Sequence, residues 1–315
     1  MSPSLAPSST KGAALGLSPS QLDSFHEDGY LVVPDALDSW TVAKLLSTTQ
    51  HMLADFSLDD HPMTRFSTGE GESKAHVGDE YFLTSGDKIR YFFEEDAFGT
   101  DGALRKAKAR AINKIGHALH VLSPPFARVT LSATNAAMAR TLGFQDPRVL
   151  QSMIICKQPE IGGRVPPHQD STFLYTDPPS AIGFWYALED ATAANGCLSF
   201  AKGSHQRTPV RQRFVRSEQS GTDFVDVSGS PWPHDGLTYE DASDGHDATD
   251  DAYTLEEVRA GTLMLIHGNL LHKSERNLSG RSRFIYTFHV IEGKHEYDGR
   301  NWLQPSNDGF ARLPR

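Results

Sequence analysis

The 315-residue sequence has only two cysteines, Cys156 and Cys197, and no long hydrophobic run. Two thiols cannot form the disulfide framework of a small secreted domain or a zinc site with four thiolate ligands. No segment approaches the run of about 20 apolar residues that a membrane-spanning helix requires. The N-terminus does not have the basic residues followed by an apolar stretch that are typical of a secretory signal peptide. The sequence also does not end in the peroxisomal signal Ser-Lys-Leu. We therefore expect a cytoplasmic protein with no membrane partner.

Basic charge is also scarce. The net charge is −10, and twelve of the 40 Asp and Glu residues lie between positions 217 and 258, where there is no Lys or Arg. In the rest of the chain the two signs nearly balance. Binding to a phosphate backbone requires a basic stripe or patch, which this distribution does not supply. We expect no nucleic-acid partner.

The N-terminal third has the pattern of helices. Residues 1–20 are small and rich in Pro and Ser, which predicts a flexible tail. Ser18 is a typical N-cap for a first helix that ends near Gly29. A second helix is predicted over residues 39–54, with Trp40 and Leu53 on one side. Apolar residues at intervals of three and four predict the clearest helix over residues 105–121.

After residue 150 the pattern becomes that of strands. Five segments are rich in aromatic and β-branched residues and are bounded by Gly, Pro, Asn or Asp, namely 152–157, 181–188, 196–200, 262–266 and 283–290. Strands that follow one another without helices exclude repeated βαβ units and favour an antiparallel barrel or jelly roll with helices outside. We expect one domain over residues 21–315. An acidic insertion at about 207–251 would be either a lid over a site or a disordered loop.

A triplet of His, Gln and Asp at residues 168–170 is a candidate metal site. Side chains two apart on an extended strand point to the same side, so His168 and Asp170 can bind one ion. Such triplets are usually surface pairs, and another occurs at residues 26–28. His272 follows a later apolar run and supplies a second imidazole. Two His and one carboxylate leave three positions of an octahedral metal open, as in non-haem Fe(II) oxygenases.

Arg281 follows His272 by nine residues and indicates an organic acid beside the metal. A guanidinium group suits the bidentate capture of a carboxylate. Arg283 has the same strand parity and could face the same cavity, but pairing with the acidic segment would explain it equally well, so it ranks second. His267 is the rival of His272 for the third ligand position. It ranks lower because it precedes Gly268, where a structural His in a turn is ordinary.

Several sequence blocks resemble the phytanoyl-CoA dioxygenase family. In order, they are Tyr-Phe-Leu-Thr-Ser-Gly-Asp-Lys-Ile-Arg at 81–90, Asn-Lys-Ile-Gly-His-Ala-Leu-His at 113–120, Pro-His-Gln-Asp at 167–170, the segments 189–192 and 195–198, the segment 265–268 running on to 272–274, and Asn-Trp-Leu-Gln-Pro at 301–305. The resemblance extends from about residue 22 to residue 305. The tail and the acidic insertion lie outside it.

This resemblance implies a double-stranded β-helix, a cupin-like jelly roll, that uses Fe(II), 2-oxoglutarate and O2. It implies that the iron ligands and catalytic centre are His168, Asp170 and His272. It places around 2-oxoglutarate the residues Lys114, Met153, Trp185, Ser274 and Arg281, with Arg281 on the distal carboxylate. Trp185 lies one residue closer to His168 than the family pattern has it. Lys114 falls within the predicted helix 105–121, which would then cover the mouth of the barrel.

The reaction that the resemblance implies couples decarboxylation of 2-oxoglutarate, to succinate and CO2, with oxidation of a small organic substrate, expected to be a hydroxylation. Two other functional classes stay open at this point. One is a non-catalytic jelly-roll protein that binds a ligand. The other is a metal-dependent hydrolase or isomerase on the same fold.

A few further residues have two interpretations each. His117 and His120, three apart on a predicted helix, could bind metal but more simply pack and form hydrogen bonds. Lys88 and Arg90 could contact an anionic substrate or lie on an exposed loop. Residues 173–175, Phe-Leu-Tyr, could line a substrate pocket or pack the barrel.

Overall fold

The computed structural model describes residues 16–68, 76–239 and 252–315. Most of the predicted tail, residues 1–15, and the last part of the acidic insertion, residues 240–251, lie outside the described residues. Among the residues that are described, no helix has both the length and the apolar character needed to cross a membrane.

Eight α-helices are found in the described ranges. They are α1 Pro19–Asp28, α2 Ser39–Asp55, α3 Glu80–Leu83, α4 Leu119–Leu122, α5 Pro124–Thr130, α6 Ala133–Thr141, α7 Asp170–Phe173 and α8 Ser204–Arg207. Three short 3₁₀ turns occupy Glu95–Ala97, Lys108–Arg110 and Ala193–Asn195. Most of the helices therefore lie in the N-terminal half of the chain, as the sequence pattern predicted.

Fourteen strands make up most of the remaining regular structure in the described ranges. They are β1 Tyr30–Val33, β2 Ile89–Phe93, β3 Ile112–His117, β4 Pro147–Ile155, β5 Val165–His168, β6 Ile182–Ala187, β7 Leu198–Phe200, β8 Gln212–Arg216, β9 Thr222–Asp226, β10 Thr254–Glu256, β11 Leu263–His267, β12 His272–Ser274, β13 Ile285–Glu292 and β14 Ala311–Arg312. All five predicted strand segments are confirmed.

Two antiparallel sheets build the fold. The larger has the order β1-β11-β6-β13-β4-β3-β2, with β14 beside β4, and the smaller has the order β10-β7-β12-β5. Strands β8 and β9 form a separate hairpin. Apart from the consecutive strands β2, β3 and β4, neighbours in both sheets are distant in the sequence, so long-range pairing holds most of each sheet together. A mainly β jelly roll with flanking helices is therefore confirmed as the fold class.

Strands β6 and β13 in the middle of the larger sheet are buried on both faces. Tyr186 and Tyr286 point to the outer face, where their hydroxyl groups bond Asn135 at 2.6 Å and Thr130 at 2.5 Å. Because side chains alternate along a strand, their neighbours Trp185 and Thr287 point the other way. That inner face is the one that builds the site.

The first two helices agree with their predicted positions. Ser18 caps α1, and Gly29, with φ of 81°, ends it in the left-handed conformation that glycine adopts readily. The buried side of α2 includes Leu45 and Leu53, but Trp40 is 68% exposed. The prediction that Trp40 shares the buried side of this helix was wrong, because Trp40 lies at the first turn, on the opposite side from Leu45.

The prediction of a helix over residues 105–121 was wrong. This region contains a 3₁₀ turn, the strand β3 and the start of α4. Strand β3 lies between β2 and β4 in the sheet, and residues on both of its faces are buried, Ile112 and Ile115 fully. A strand buried on both faces carries apolar residues on both, and its pattern then no longer distinguishes it from a helix.

Candidate metal and co-substrate site

The ends of two neighbouring strands and a short helix bring three potential metal ligands together. His168 ends β5, Asp170 begins α7, and His272 begins β12, where it pairs directly with His168. Asp170 Oδ1 lies 3.6 Å from His168 Nε2 and 3.9 Å from His272 Nε2. One ligand atom from each of the three residues lies within 4.8 Å of the others. This is the triad that the sequence singled out, and it could hold one metal ion.

Backbone carbonyl groups orient both imidazole rings. His168 Nδ1 lies 2.9 Å from the carbonyl oxygen of Pro166, and His272 Nδ1 lies 3.0 Å from that of Leu270. A carbonyl oxygen can only accept, so each Nδ1 carries the proton. The lone pair of each Nε2 is then available to a metal, which is the usual arrangement behind a His ligand.

The charge states of the triad also suit a metal. Burial by itself would raise the pKa of Asp170, but His289 and His272 hold it well below its usual range, so the carboxylate is ionised. Burial, reinforced by the charge of His168, lowers the pKa of His272 to about 4, so its ring is neutral at neutral pH. One carboxylate oxygen and two imidazole nitrogens fit Fe(II), and the chemistry of the donor set leaves room for further ligands.

A cavity of about 460 Å³ opens beside the triad, between the two sheets. Four of the five residues expected around 2-oxoglutarate line it. They are Lys114, Met153, Trp185 and Ser274. Met153, Trp185 and Ser274 lie on β4, β6 and β12, and all three are buried. The one-residue shift of Trp185 therefore does not remove it from the cavity.

Lys114 lies on strand β3 and not on a helix over the barrel mouth, so that part of the prediction was wrong. Its ammonium group sits 3.2 Å from the centre of the Phe66 ring. Burial lowers the pKa of Lys114 to about 7, although the charges of Glu94 and Asp170 act in the opposite direction. Lys114 is therefore a cation that can titrate near neutral pH.

Arg281 is not in the cavity. Its side chain is exposed, and it belongs to the turn between β12 and β13. Arg283, two residues later, lines the cavity and is only 2% exposed. The guanidinium of Arg283 donates through Nη1 to the carbonyl oxygen of Gly196, whereas its buried Nε has no hydrogen-bond partner. The placement of Arg281 at the site was wrong, and Arg283 occupies the position expected for it.

Sequence reasoning missed Lys157 altogether. This buried residue follows β4 and lines the cavity. Its ammonium group donates to Ser274 Oγ at 2.9 Å and to the carbonyl oxygen of Gly163 at 2.7 Å. A Lys directly after the apolar segment 153–156 was the available signal, because a cation in such a place is rarely buried without a role.

The other candidate residues lie elsewhere. His267 is separated from the triad and faces Asp235, with 3.4 Å between Nε2 and Oδ2. His120 bonds Ser152 Oγ at 2.7 Å and does not line the cavity, whereas His117 does. Lys88 is exposed. These positions leave His272 as the second imidazole of the triad.

Part of the acidic insertion borders the cavity. Within the described residues 207–239, strands β8 and β9 form a hairpin, and Phe214 of β8 lines the cavity. Phe214 packs against Phe173, with ring centres 5.4 Å apart. Phe173 and Leu174 also line the cavity. This part of the insertion is therefore regular structure beside the cavity, and its role as a lid stays a prediction.

A comparison with family models matches residues 25–285 to phytanoyl-CoA dioxygenase (PhyH). The chain belongs to the phytanoyl-CoA dioxygenase family. It is 43% identical over 293 residues to phytanoyl-CoA dioxygenase domain-containing protein 1 of Bos taurus, which covers 92% of this chain and 96% of the relative. It is 40% identical over 303 residues to a phytanoyl-CoA dioxygenase of Arabidopsis thaliana, with 96% and 97% coverage.

Solved structures support the fold. The non-haem α-ketoglutarate-dependent carbocyclase SnoK from nogalamycin biosynthesis matches with a TM-score of 0.61 at 17% identity, covering 96% of this chain and 98% of its own. The epimerase SnoN, crystallised with Fe³⁺, α-ketoglutarate and nogalamycin RO, matches with a TM-score of 0.57 at 16% identity, covering 94% and 92%. Family membership confirms the predicted enzyme class, a non-haem iron dioxygenase, and the donor set agrees with the predicted Fe(II) and 2-oxoglutarate.

Proposed function

We propose that this protein is an Fe(II)- and 2-oxoglutarate-dependent dioxygenase. It would couple the decarboxylation of 2-oxoglutarate, to succinate and CO2, with the oxidation of a small organic substrate by O2. The observation that carries this proposal is the set of side chains that one cavity brings together. A triad of His168, Asp170 and His272 lies beside it, and a buried guanidinium group, that of Arg283, also lines it.

The triad would hold the iron. His168 and His272 offer the Nε2 atoms that their bonds to backbone carbonyl groups leave free, and Asp170 offers Oδ1. His289 bonds the other oxygen of Asp170, Oδ2, at 3.2 Å and so keeps the carboxylate in place. When bound, iron supplies the activation of O2, which amino-acid side chains cannot provide.

The residues around Arg283 would bind the distal carboxylate of 2-oxoglutarate. A buried N–H without a partner is costly, and the Nε of Arg283 is such a group. Ser274 Oγ accepts a hydrogen bond from Lys157, so the hydroxyl proton of Ser274 remains free to donate to a carboxylate. Arg283, Ser274 and Lys157 together provide the donors that a buried carboxylate needs.

The remaining residues would enclose the body of the co-substrate. Met153 and Trp185 supply apolar surface on the inner face of the larger sheet, and the guanidinium carbon of Arg283 lies 5.6 Å from the Trp185 ring centre. Lys114 adds a third buried basic side chain that can face an anion. Exclusion of water from this region strengthens each of these electrostatic contacts.

The direct test is succinate formation by purified protein with Fe(II), 2-oxoglutarate, ascorbate and O2. We expect succinate with the wild-type protein and none with Asp170→Ala or without oxygen. Failure of the wild-type protein to bind 2-oxoglutarate or release succinate under any of these conditions would favour a ligand-binding protein. Activity with zinc, without oxygen and without 2-oxoglutarate, would favour a hydrolase or isomerase.

We also propose that residues 21–315 act as one catalytic domain in the cytoplasm. The family match across residues 25–285 spans strands of both sheets, which supports a single unit. Cys156 and Cys197 are both buried free thiols, in keeping with a reducing compartment. Cell fractionation would test the location, and limited proteolysis would test the single domain.

A further inference from the structure

One side of the cavity next to His168 is aromatic. The ring of Phe173 lies 6.1 Å from that of His168, 5.4 Å from that of Phe214 and 5.9 Å from that of His76. The indole N–H of Trp302 donates to the carbonyl oxygen of Phe173 at 2.9 Å. His76, Phe173, Phe214 and Trp302 all line the cavity, and we call these four residues the aromatic wall.

The aromatic wall carries no charge. Its only titratable member is His76, and burial lowers the pKa of that imidazole, which favours the neutral ring. Charged side chains also line the cavity, but none of them belongs to the wall; they are Glu94, Glu95, Asp96, Lys114, Lys157, Arg164, Asp170, Arg276 and Arg283. Lys157 bonds Gly163 and Ser274, Arg283 bonds Gly196, and Lys114 lies over Phe66. The four rings of the wall therefore offer a ligand flat apolar surface that has no formal charge of its own.

Gln151 places an unsatisfied acceptor close to the metal ligands. This residue of β4 is only 5% exposed and lines the cavity. Its Nε2 lies 3.5 Å from Nδ1 of His289, whose Nε2 lies 3.2 Å from Asp170 Oδ2. The other amide atom, Oε1, is buried and has no hydrogen-bond partner. Because buried polar atoms are normally satisfied, this oxygen indicates a ligand that donates a hydrogen bond.

His117, on the neighbouring strand β3, offers a second acceptor. Ser85 Oγ is 2.5 Å from the carbonyl oxygen of Phe82 and must donate to it, because a carbonyl oxygen only accepts. The single hydroxyl proton of Ser85 is thereby used, so the 2.7 Å contact with His117 Nδ1 requires that Nδ1 donates. Burial, together with the charge of Lys114, holds the pKa of His117 well below its usual range. The neutral ring then has Nε2 as its acceptor.

We propose that this part of the cavity binds the prime substrate, and that the substrate is an uncharged, flat or aromatic molecule carrying an O–H or N–H group. The body of the molecule packs against the aromatic wall, and its donor group faces Gln151 Oε1 and His117 Nε2. This inference rests on the proposed function and names its substrate class.

Pairs of small probes that differ by one methyl group test this subsite. We would measure the affinities of indole, 1-methylindole, phenol and anisole by calorimetry, using anaerobic protein loaded with Fe(II) and saturating 2-oxoglutarate. Benzoate would serve as the charged probe. We expect indole and phenol to bind about tenfold more tightly than their methylated analogues, and benzoate to bind more weakly than phenol, because two acceptors repel a carboxylate.

Substitutions then identify the acceptors. Gln151→Met keeps the length of the side chain. It should reduce the preference for indole over 1-methylindole, and for phenol over anisole, to about twofold or less. Phe214→Ala should weaken both members of each pair to the same extent, since it removes wall surface and no acceptor. Leu278→Ala, at a residue that is 72% exposed and outside the cavity, should leave every probe affinity unchanged.

Three outcomes would overturn the inference. They are equal affinities within both pairs, a donor preference that persists in both Gln151→Met and His117→Phe, and the absence of binding by all four neutral probes at millimolar concentration. In each of these cases, the wild-type protein should still bind 2-oxoglutarate and release succinate. These two results would show that the proposed function is unaffected. Loss of 2-oxoglutarate binding by the wild-type protein would overturn both proposals together.

Discussion

At the scale of single residues, the proposed function makes Arg283 the side chain on which co-substrate binding should depend most. Arg283→Ala should raise the KM for 2-oxoglutarate at least tenfold, because a charged hydrogen bond to a buried carboxylate contributes about 1.5–3 kcal/mol. Iron content should stay at the wild-type level, since Arg283 does not contact the triad residues. Steady-state succinate assays and metal analysis would measure both quantities.

Arg281→Ala is the matched control, because Arg281 is exposed and lies only two residues away. Its KM for 2-oxoglutarate should equal that of the wild-type protein. If Arg281→Ala weakened 2-oxoglutarate binding and Arg283→Ala did not, our exchange of the two roles would be incorrect.

The difference between these two arginines shows why their roles were not predictable from spacing. Parity applies only within an extended strand, and β13 begins at Ile285. Before it the chain turns, and the side-chain amide of Asn277 donates to the carbonyl oxygens of Arg281 and Lys157. This turn directs Arg281 to solvent and Arg283 into the cavity. The sequence therefore predicted a carboxylate-binding arginine here but placed it two residues too early.

Lys114 predicts a pH dependence of co-substrate binding. The pKa of Lys114 is lowered from its usual 10.5 to about 7, so the ammonium group loses its proton as the pH rises through this value. A cation that attracts 2-oxoglutarate is thereby lost, and the KM should increase several-fold between pH 6.5 and pH 8.5. Binding of the dianion itself moves this transition to higher pH.

Lys114→Arg and Lys114→Met provide the controls for this prediction. Arginine stays protonated throughout the range, so its KM should be independent of pH. Methionine has no charge, so its KM should be high and also independent of pH. The same pH profile in wild-type protein and both variants would show that Lys114 does not contribute to 2-oxoglutarate binding.

At the scale of elements, helix α2 provides a test of which side is buried. Leu45 is 1% exposed and packs in the core, whereas Trp40 is 68% exposed. Leu45→Ala should lower the free energy of unfolding by about 3 kcal/mol, the usual loss for a fully buried leucine. Trp40→Ala should change it by less than about 0.5 kcal/mol. Denaturant unfolding would measure both, and a larger loss for Trp40→Ala would contradict the packing described here.

Elements also differ in how well their sequence patterns identify them. Helix α1 was predictable, because its start at Ser18 and its end at Gly29 depend on local capping. Strand β3 was not, because both its faces are buried and its sequence therefore lacks the alternation that reveals a strand. The cap is a property of a few consecutive residues, whereas the burial of β3 is a property of the whole sheet.

At the scale of the whole molecule, metal binding should stabilise the fold. The triad joins two strands of the smaller sheet, and Asp170 is also bonded to His289 of the larger one. A ligand that binds only the folded state at 100 times its Kd adds about 2.7 kcal/mol to the free energy of unfolding. Anaerobic Fe(II) or Mn(II) should therefore raise the Tm by several degrees.

A chelator should reverse this increase, and His168→Ala should show none of it. Arg283→Ala again serves as the comparison, since it should keep the full stabilisation by metal while losing that by 2-oxoglutarate. An equal Tm increase in His168→Ala and the wild-type protein would mean that the metal binds outside the triad.

The sequence by itself determined the identity of the triad, the strand-rich C-terminal half and the family to which the chain belongs. These depend on residue types and short spacings, which are local. Only the tertiary structure decided that Arg283 and not Arg281 lines the cavity, that Lys114 lies on a strand, that Lys157 and Gln151 reach the cavity and that the β8–β9 hairpin borders it. The physical reason is that the direction of a side chain into a cavity depends on sheet register and turns, which form between residues far apart in the chain.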